Sequence, residues 1–171
     1  MAPRLFGFGR KYGVLLKHTA REVETLGARA VEFNAVVGTY SEARASDLFV
    51  PSEELNKLAR KKREGLGPGR KLGGVRLHLL PREKKIVFFD FRPLGAHTPL
   101  FERELLEERI HHAVAQRIVD SPSYSGYAVV HPRALTSEDF ASFLSRAGIE
   151  VGKDYSPAEY LERVKSTLLS K

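Results

Sequence analysis

The chain has 171 residues, a formal net charge of +7, 42 % apolar residues and no cysteine. This length supports one domain with a hydrophobic core, and the apolar content is ordinary for a globular protein. The lack of cysteine excludes disulfides, thiolate zinc sites and thiol redox chemistry, and no apolar run approaches the ~20 residues that a membrane-spanning helix needs.

The positive charge is concentrated in two segments. Residues 57–76 carry a net charge of +7, with eight cations against Glu64 alone, and residues 1–21 carry +5 with no acid. The rest of the chain therefore has a net charge of −5. Such asymmetry favours a polyanionic partner, because an evenly spread charge would not produce two strongly basic segments.

Residues 1–27 are predicted to form a basic N-terminal arm. The first 21 residues combine cations and aromatics, with neither acid nor serine. Organelle transit peptides are basic and poor in acids, although they are usually rich in serine. A retained arm that binds a polyanion has the same composition, so both interpretations stay open.

The first half of a core domain follows this arm. Residues 28–37 alternate between apolar and polar side chains in their first half, which predicts a strand. Thr39 and Glu42 have the spacing of a capping box, which predicts a short helix before Pro51. Ser52 is a suitable N-cap for a second helix.

The second half of the core predicts a hairpin and a long helix. Residues 75–80 alternate, residues 81–84 form a turn, and residues 85–91 form the second strand of the pair. Residues 100–119 carry apolar side chains at helical spacing over nearly twenty positions. This long helix is expected to pack on the sheet.

The expected architecture is α+β, a small sheet of three or four strands with packed helices over residues 28–119. Residues 120–171 are predicted as a mainly helical tail, with a short strand at 127–130, a capping box at 136–139 and a last helix from Ser156–Pro157.

The glycine-rich loop 60–74 lies inside the more basic segment. It is not a Walker loop, since its glycines follow a helix and no Lys-Ser/Thr pair ends it. A flexible linker is the plainer interpretation, but glycine allows close approach to phosphates, and the flanking cations supply charge. Folded RNA, which proteins recognise largely by shape and backbone, suits such a loop. The predicted RNA-binding residues are Arg4, Arg10, Lys11, Lys17, Arg21, Lys57, Arg60, Lys61, Lys62, Arg63, Arg70, Lys71 and Arg76.

Few residues indicate chemistry of another kind. Glu108 and His111 have the i, i+3 spacing of half a di-iron site, but the second half is missing, so a solvated helix face is expected instead. We therefore expect no metal, no cofactor and no catalytic residue. An RNA-processing enzyme that uses His78, His111 or His112 is an alternative.

The order of elements resembles the small thioredoxin-like proteins of the mitochondrial ribosomal large subunit. The resemblance covers residues 28–119 and depends on a strand with Val31-Glu-Phe-Asn34, a helix at 42–50, a basic connection, a strand pair at 75–81 and 86–91, and a long helix. It implies a thioredoxin-like βαββα fold and a structural protein of the mitochondrial matrix. Such a protein lies on ribosomal RNA and neighbouring ribosomal proteins, and it has no small-molecule substrate.

Two further functions stay open beside this one. The chain could be a stand-alone nucleic-acid-binding protein, for which the two basic segments would suffice. It could also be a peripheral structural subunit of a mitochondrial membrane complex such as ATP synthase, in which nearly all contacts would be with protein.

Overall fold

A computed structural model of the chain describes residues 11–23, 28–60, 69–92 and 100–169. Within these ranges the chain forms six β-strands and four α-helices. The strands are β1 (Tyr12–Val23), β2 (Ala28–Thr39), β3 (Leu48–Pro51), β4 (Lys71–Leu80), β5 (Lys85–Arg92) and β6 (Ala128–Val130). The helices are α1 (Glu53–Arg60), α2 (Leu100–Asp120), α3 (Glu138–Arg146) and α4 (Pro157–Leu169).

The described strands form one sheet in the order β3-β1-β2-β4-β5-β6. All neighbouring strands are antiparallel except β5 and β6, which are parallel. A parallel pair needs a long crossover connection, and α2 lies in the segment that joins these two strands.

The register divides the side chains of the sheet into two faces. Val14 lies opposite Val37, and Phe33 lies opposite Val75, on the face that we call the inner face. These residues belong to one buried core together with Ile110 of α2 and residues of α3 and α4. The alternating positions, which include Lys17, Asn34 and Arg76, form the outer face.

The four helices follow from local sequence signals and from burial. Ser52 caps α1, since its Oγ accepts the Leu55 N–H at 3.1 Å. The predicted long helix is confirmed as α2, and its apolar stripe buries Leu106, Ile110, Val114 and Ile118. None of the described helices is long and apolar enough to cross a membrane.

The expectation of a small, thioredoxin-like sheet of three or four strands is wrong, because β1 is an inner strand of a six-stranded sheet. A basic arm was expected there. The segment from Gly13 to Leu16 is buried throughout and is paired on both sides, by β2 and by β3. A strand buried on both faces shows a continuous apolar run instead of an alternating one, and here that run is short and flanked by cations.

Other local predictions also need correction. Glu42 does accept the Thr39 N–H at 3.0 Å, but the helix that follows spans only Tyr40–Glu42, and β3 occupies residues predicted as helix. Residues 71–74 of the predicted loop belong to β4. Whether the mainly helical tail packs on the core was open from the sequence; in the structure β6 joins the sheet and α4 packs against α2.

Candidate nucleic-acid interface

Four of the predicted RNA-binding residues lie at one end of the sheet, which we call the basic end: Lys11, Lys57, Arg70 and Lys71. Lys11 directly precedes β1, whose first residue lies opposite Thr39 at the end of β2. Arg70 is held beside the same end of β2, since its carbonyl oxygen accepts the Val37 N–H at 2.9 Å. The pairing of β1 and β4 on either side of β2 therefore brings Lys11 of the first basic segment close to Arg70 and Lys71 of the second.

Helix α1 adds Lys57 to the basic end. Asn56, which is 8 % exposed, accepts the backbone N–H of Tyr12 through its Oδ1 at 2.8 Å. Leu55 is fully buried in the core. These two neighbours fix the helix against the start of β1, and Lys57 is left exposed to solvent.

Two other predicted residues, Arg76 and Lys17, lie on the outer face. The Arg76 guanidinium lies 4.7 Å from the ring centroid of Phe89, and His78 stacks on the same ring at 4.3 Å. Arg76 and Lys71 line one shallow depression of the outer face, next to Asn34. The same depression is also lined by Glu32, which lies opposite Arg76 in the β2–β4 register, so the outer face carries charges of both signs there.

Seven predicted cations remain. The backbones of Arg21 and Arg60 are described, in β1 and at the end of α1. The other five lie outside the described residues: Arg4, Arg10, Lys61, Lys62 and Arg63.

A second polar cluster lies deep in the core. Of its three members, His111, His131 and Tyr160, the sequence indicated only His111. The Tyr160 hydroxyl lies between two imidazoles, 2.7 Å from His131 Nε2 and in close contact with His111 Nε2. The hydroxyl can donate to an unprotonated Nε2 of one neutral ring and accept from a protonated Nε2 of the other. The two histidines must therefore be different tautomers. Phe88, Phe140 and Phe143 surround the cluster.

Burial sets the protonation state of this cluster. It lowers the pKa of His111 to about 3, with a smaller contribution from the charge of His112. It also lowers the pKa of His131 well below its ordinary value and raises that of Tyr160 well above its own. At neutral pH all three groups are therefore uncharged.

The expectation that Glu108 and His111 lie on a solvated helix face is wrong, because both side chains are almost fully buried. The Glu108 carboxylate pairs with Arg146 at 3.4 Å. The position of His111 on the apolar stripe, three residues before Val114, is the signal that would have indicated burial.

His111 has no solvent-exposed surface in this arrangement. The described residues include no group of three or more His, Cys, Asp and Glu side chains placed to hold a metal ion. His78 is also buried, with 6 % of its surface exposed. The functional candidate is therefore the cationic surface and not the buried cluster.

No family model, curated protein or solved structure matches this chain. The resemblance to mitochondrial ribosomal proteins accordingly stays a prediction.

Proposed function

We propose that the protein binds RNA through its basic end and that it is a structural subunit of a ribonucleoprotein particle, with the mitochondrial ribosomal large subunit as its predicted location. The observation that supports this proposal is the convergence of the two basic segments. Lys11 comes from the first segment, Lys57, Arg70 and Lys71 belong to the second, and all four lie at the same end of the sheet.

The chemistry of this surface suits phosphates more than bases. Exposed lysine and arginine side chains bind the nucleic-acid backbone and release its counterions. Flexible cations at the end of a rigid sheet can adapt to an irregular phosphate surface, whereas base recognition needs side chains held at base edges. Binding should therefore depend strongly on salt and weakly on sequence.

The experiment compares two triple variants with the same charge. One removes cations of the basic end, Lys57→Ala, Arg70→Ala and Lys71→Ala. The other removes three exposed cations elsewhere, Arg82→Ala, Arg133→Ala and Lys153→Ala. Binding of a fluorescent, folded RNA to the full chain is measured by anisotropy at several salt concentrations.

Each phosphate contact contributes roughly 0.7–0.9 to the slope of log K against log salt. The first variant should therefore lose about two units of slope, and the control variant should lose little. Equal losses in the two variants would mean that net charge alone governs binding, and the basic end would then not be the interface.

Assembly is tested in cells by ultraviolet crosslinking and sedimentation of the tagged protein. Co-sedimentation with the mitochondrial ribosomal large subunit, with ribosomal RNA crosslinked at residues 57–76, is the expected result. A light particle without RNA would count against this function and would favour a protein-only complex.

A further inference from the structure

A groove of about 340 Å³ opens at the end of the sheet opposite to the basic end. Val31 and Leu79, both buried, lie at its apolar base, where β2 and β4 pass beside each other. The far wall comes from the last turn of α2 and from the turn that follows it. This volume lies at the small end of the range for sites that bind small molecules.

Two arginines face this groove from opposite sides. Arg29 is exposed on β2, and none of the carboxylate side chains that the structure describes forms an ion pair with it. Arg117 of α2 donates to the carbonyl oxygens of Ser46 at 2.6 Å and Asp47 at 3.3 Å. These bonds fix the guanidinium and leave further N–H donors for a ligand.

His18 lines the groove, where burial and nearby charges of both signs act on its pKa. Burial lowers the pKa of His18, and the charges of Arg117 and Arg29 lower it further, against an opposing effect of Asp47. The Asp47 carboxylate accepts the backbone N–H of His18 at 3.0 Å and that of Arg44 at 3.1 Å. The one acid next to His18 is thus already hydrogen-bonded to the backbone.

Two half-buried tyrosines complete the wall. The ring centroids of Tyr124 and Tyr127 lie 6.3 Å apart, at an interplanar angle of 58°. Burial raises the pKa of Tyr124, while Arg29 and Arg117 oppose this shift, so both guanidiniums act on its phenol. Aromatic rings beside cations and above an apolar base form the kind of surface on which nucleobases stack.

We propose that this groove binds a nucleoside phosphate, with its phosphate between Arg29 and Arg117 and its base against Tyr124 and Tyr127. Guanidiniums bind phosphate in a bidentate, charge-assisted manner. The ligand is either a free nucleotide or the terminal nucleotide of an RNA strand, since both present the same groups. This inference does not depend on RNA binding at the basic end.

The test is isothermal titration calorimetry of the full chain at low salt with adenosine monophosphate, adenosine and inorganic phosphate. Adenosine monophosphate should bind at least about tenfold more tightly than either fragment, because only the nucleotide uses both the arginines and the tyrosines. Arg29→Ala should weaken its binding by about tenfold to a hundredfold. Tyr127→Leu should weaken it by about fivefold or more, and Arg133→Ala, which removes an exposed arginine outside the groove, should not change it.

A tetraribonucleotide with and without a 5′-phosphate distinguishes the two sources of ligand. Tighter binding of the phosphorylated strand than of adenosine monophosphate assigns the groove to a strand end, and the reverse order assigns it to a free nucleotide. Absence of binding by both at millimolar concentration would overturn the proposal. So would equal affinity for inorganic phosphate and the nucleotide, or an unchanged affinity in Arg29→Ala.

The triple variant of the basic end separates this inference from the proposed function. It should bind adenosine monophosphate as the wild type does, whatever its affinity for folded RNA. A loss of nucleotide binding in that variant would place the nucleotide at the basic end and would overturn the groove assignment.

Discussion

Acid should destabilise the protein through His111, and the size of the effect follows from its burial. The pKa of His111 is about 3 in the folded chain, because burial disfavours the charged ring, whereas an unfolded histidine has a pKa of roughly 6.5. The neutral ring therefore stabilises the fold fully above pH ~6.5, and this contribution is lost as the pH falls below that value. At pH ~4.5 the loss from His111 alone is roughly 3 kcal/mol, since each pH unit below the unfolded pKa costs about 1.4 kcal/mol.

Urea unfolding at pH ~7 and pH ~4.5 measures this loss when it is applied to a matched pair of variants. His111→Gln keeps a hydrogen-bonding group beside Tyr160 but cannot take up a proton. Its free energy of unfolding should fall by about 3 kcal/mol less than that of the wild type over this pH range. His112→Gln, one residue along the same helix, removes a ring that is only partly buried, so its pH dependence should stay closer to that of the wild type.

The opposite outcome is that wild type and His111→Gln lose the same free energy of unfolding between the two pH values. Carboxylates also take up protons in this range, but they are identical in both proteins. Equal losses would therefore mean that His111 is charged in the fold or that its ring is accessible to water.

Three further substitutions, one of them with a matched control, test the packing. Ile110→Ala should lower the free energy of unfolding, measured in urea, by about 2–5 kcal/mol. The control Val119→Ala, at an exposed position of the same helix, should change it by less than about 0.5 kcal/mol. Similar values for the two variants would contradict the assigned buried face of α2. Gly13→Ala should cost about 1–3 kcal/mol, because its Cβ would overlap the carbonyl oxygen of Val50, and an unchanged melting temperature would contradict the β1–β3 register. Tyr160→Phe should cost about 1–3 kcal/mol, because two buried imidazole nitrogens lose their partner; a variant as stable as the wild type would show that these nitrogens have other partners.

The elements that the sequence predicted well are those defined by local periodicity. The β4–β5 hairpin and α2 each carry a clear apolar pattern, and both were predicted, although β4 starts four residues earlier than expected. β1 was missed because its apolar run covers only four buried residues between cations. β3 was missed because four residues are too few for any period to be visible.

The candidate sites depend even more on pairing between distant parts of the chain. The sequence identified the cations, but their convergence requires β1 and β4 to lie on either side of β2. The sequence likewise identified Glu108 and His111 but gave no sign of His131 and Tyr160. A single histidine and a single tyrosine have no spacing that could relate them to His111, which lies 20 positions before His131 and 49 before Tyr160.

The two surfaces lie far enough apart to be separated by mutation. Strand β1 connects them, from Tyr12 at the basic end to Ala20 at the groove, a distance of about 25 Å in extended chain. Sites at that distance normally make independent contributions, so Arg29→Ala and the basic-end variant should have additive effects on the binding of short ligands. An RNA long enough to reach both ends would behave differently, because binding at one end raises the effective concentration at the other. In the proposed ribonucleoprotein, loss of either surface should therefore weaken the binding of a long RNA by more than it weakens the binding of a fragment that fits that surface alone.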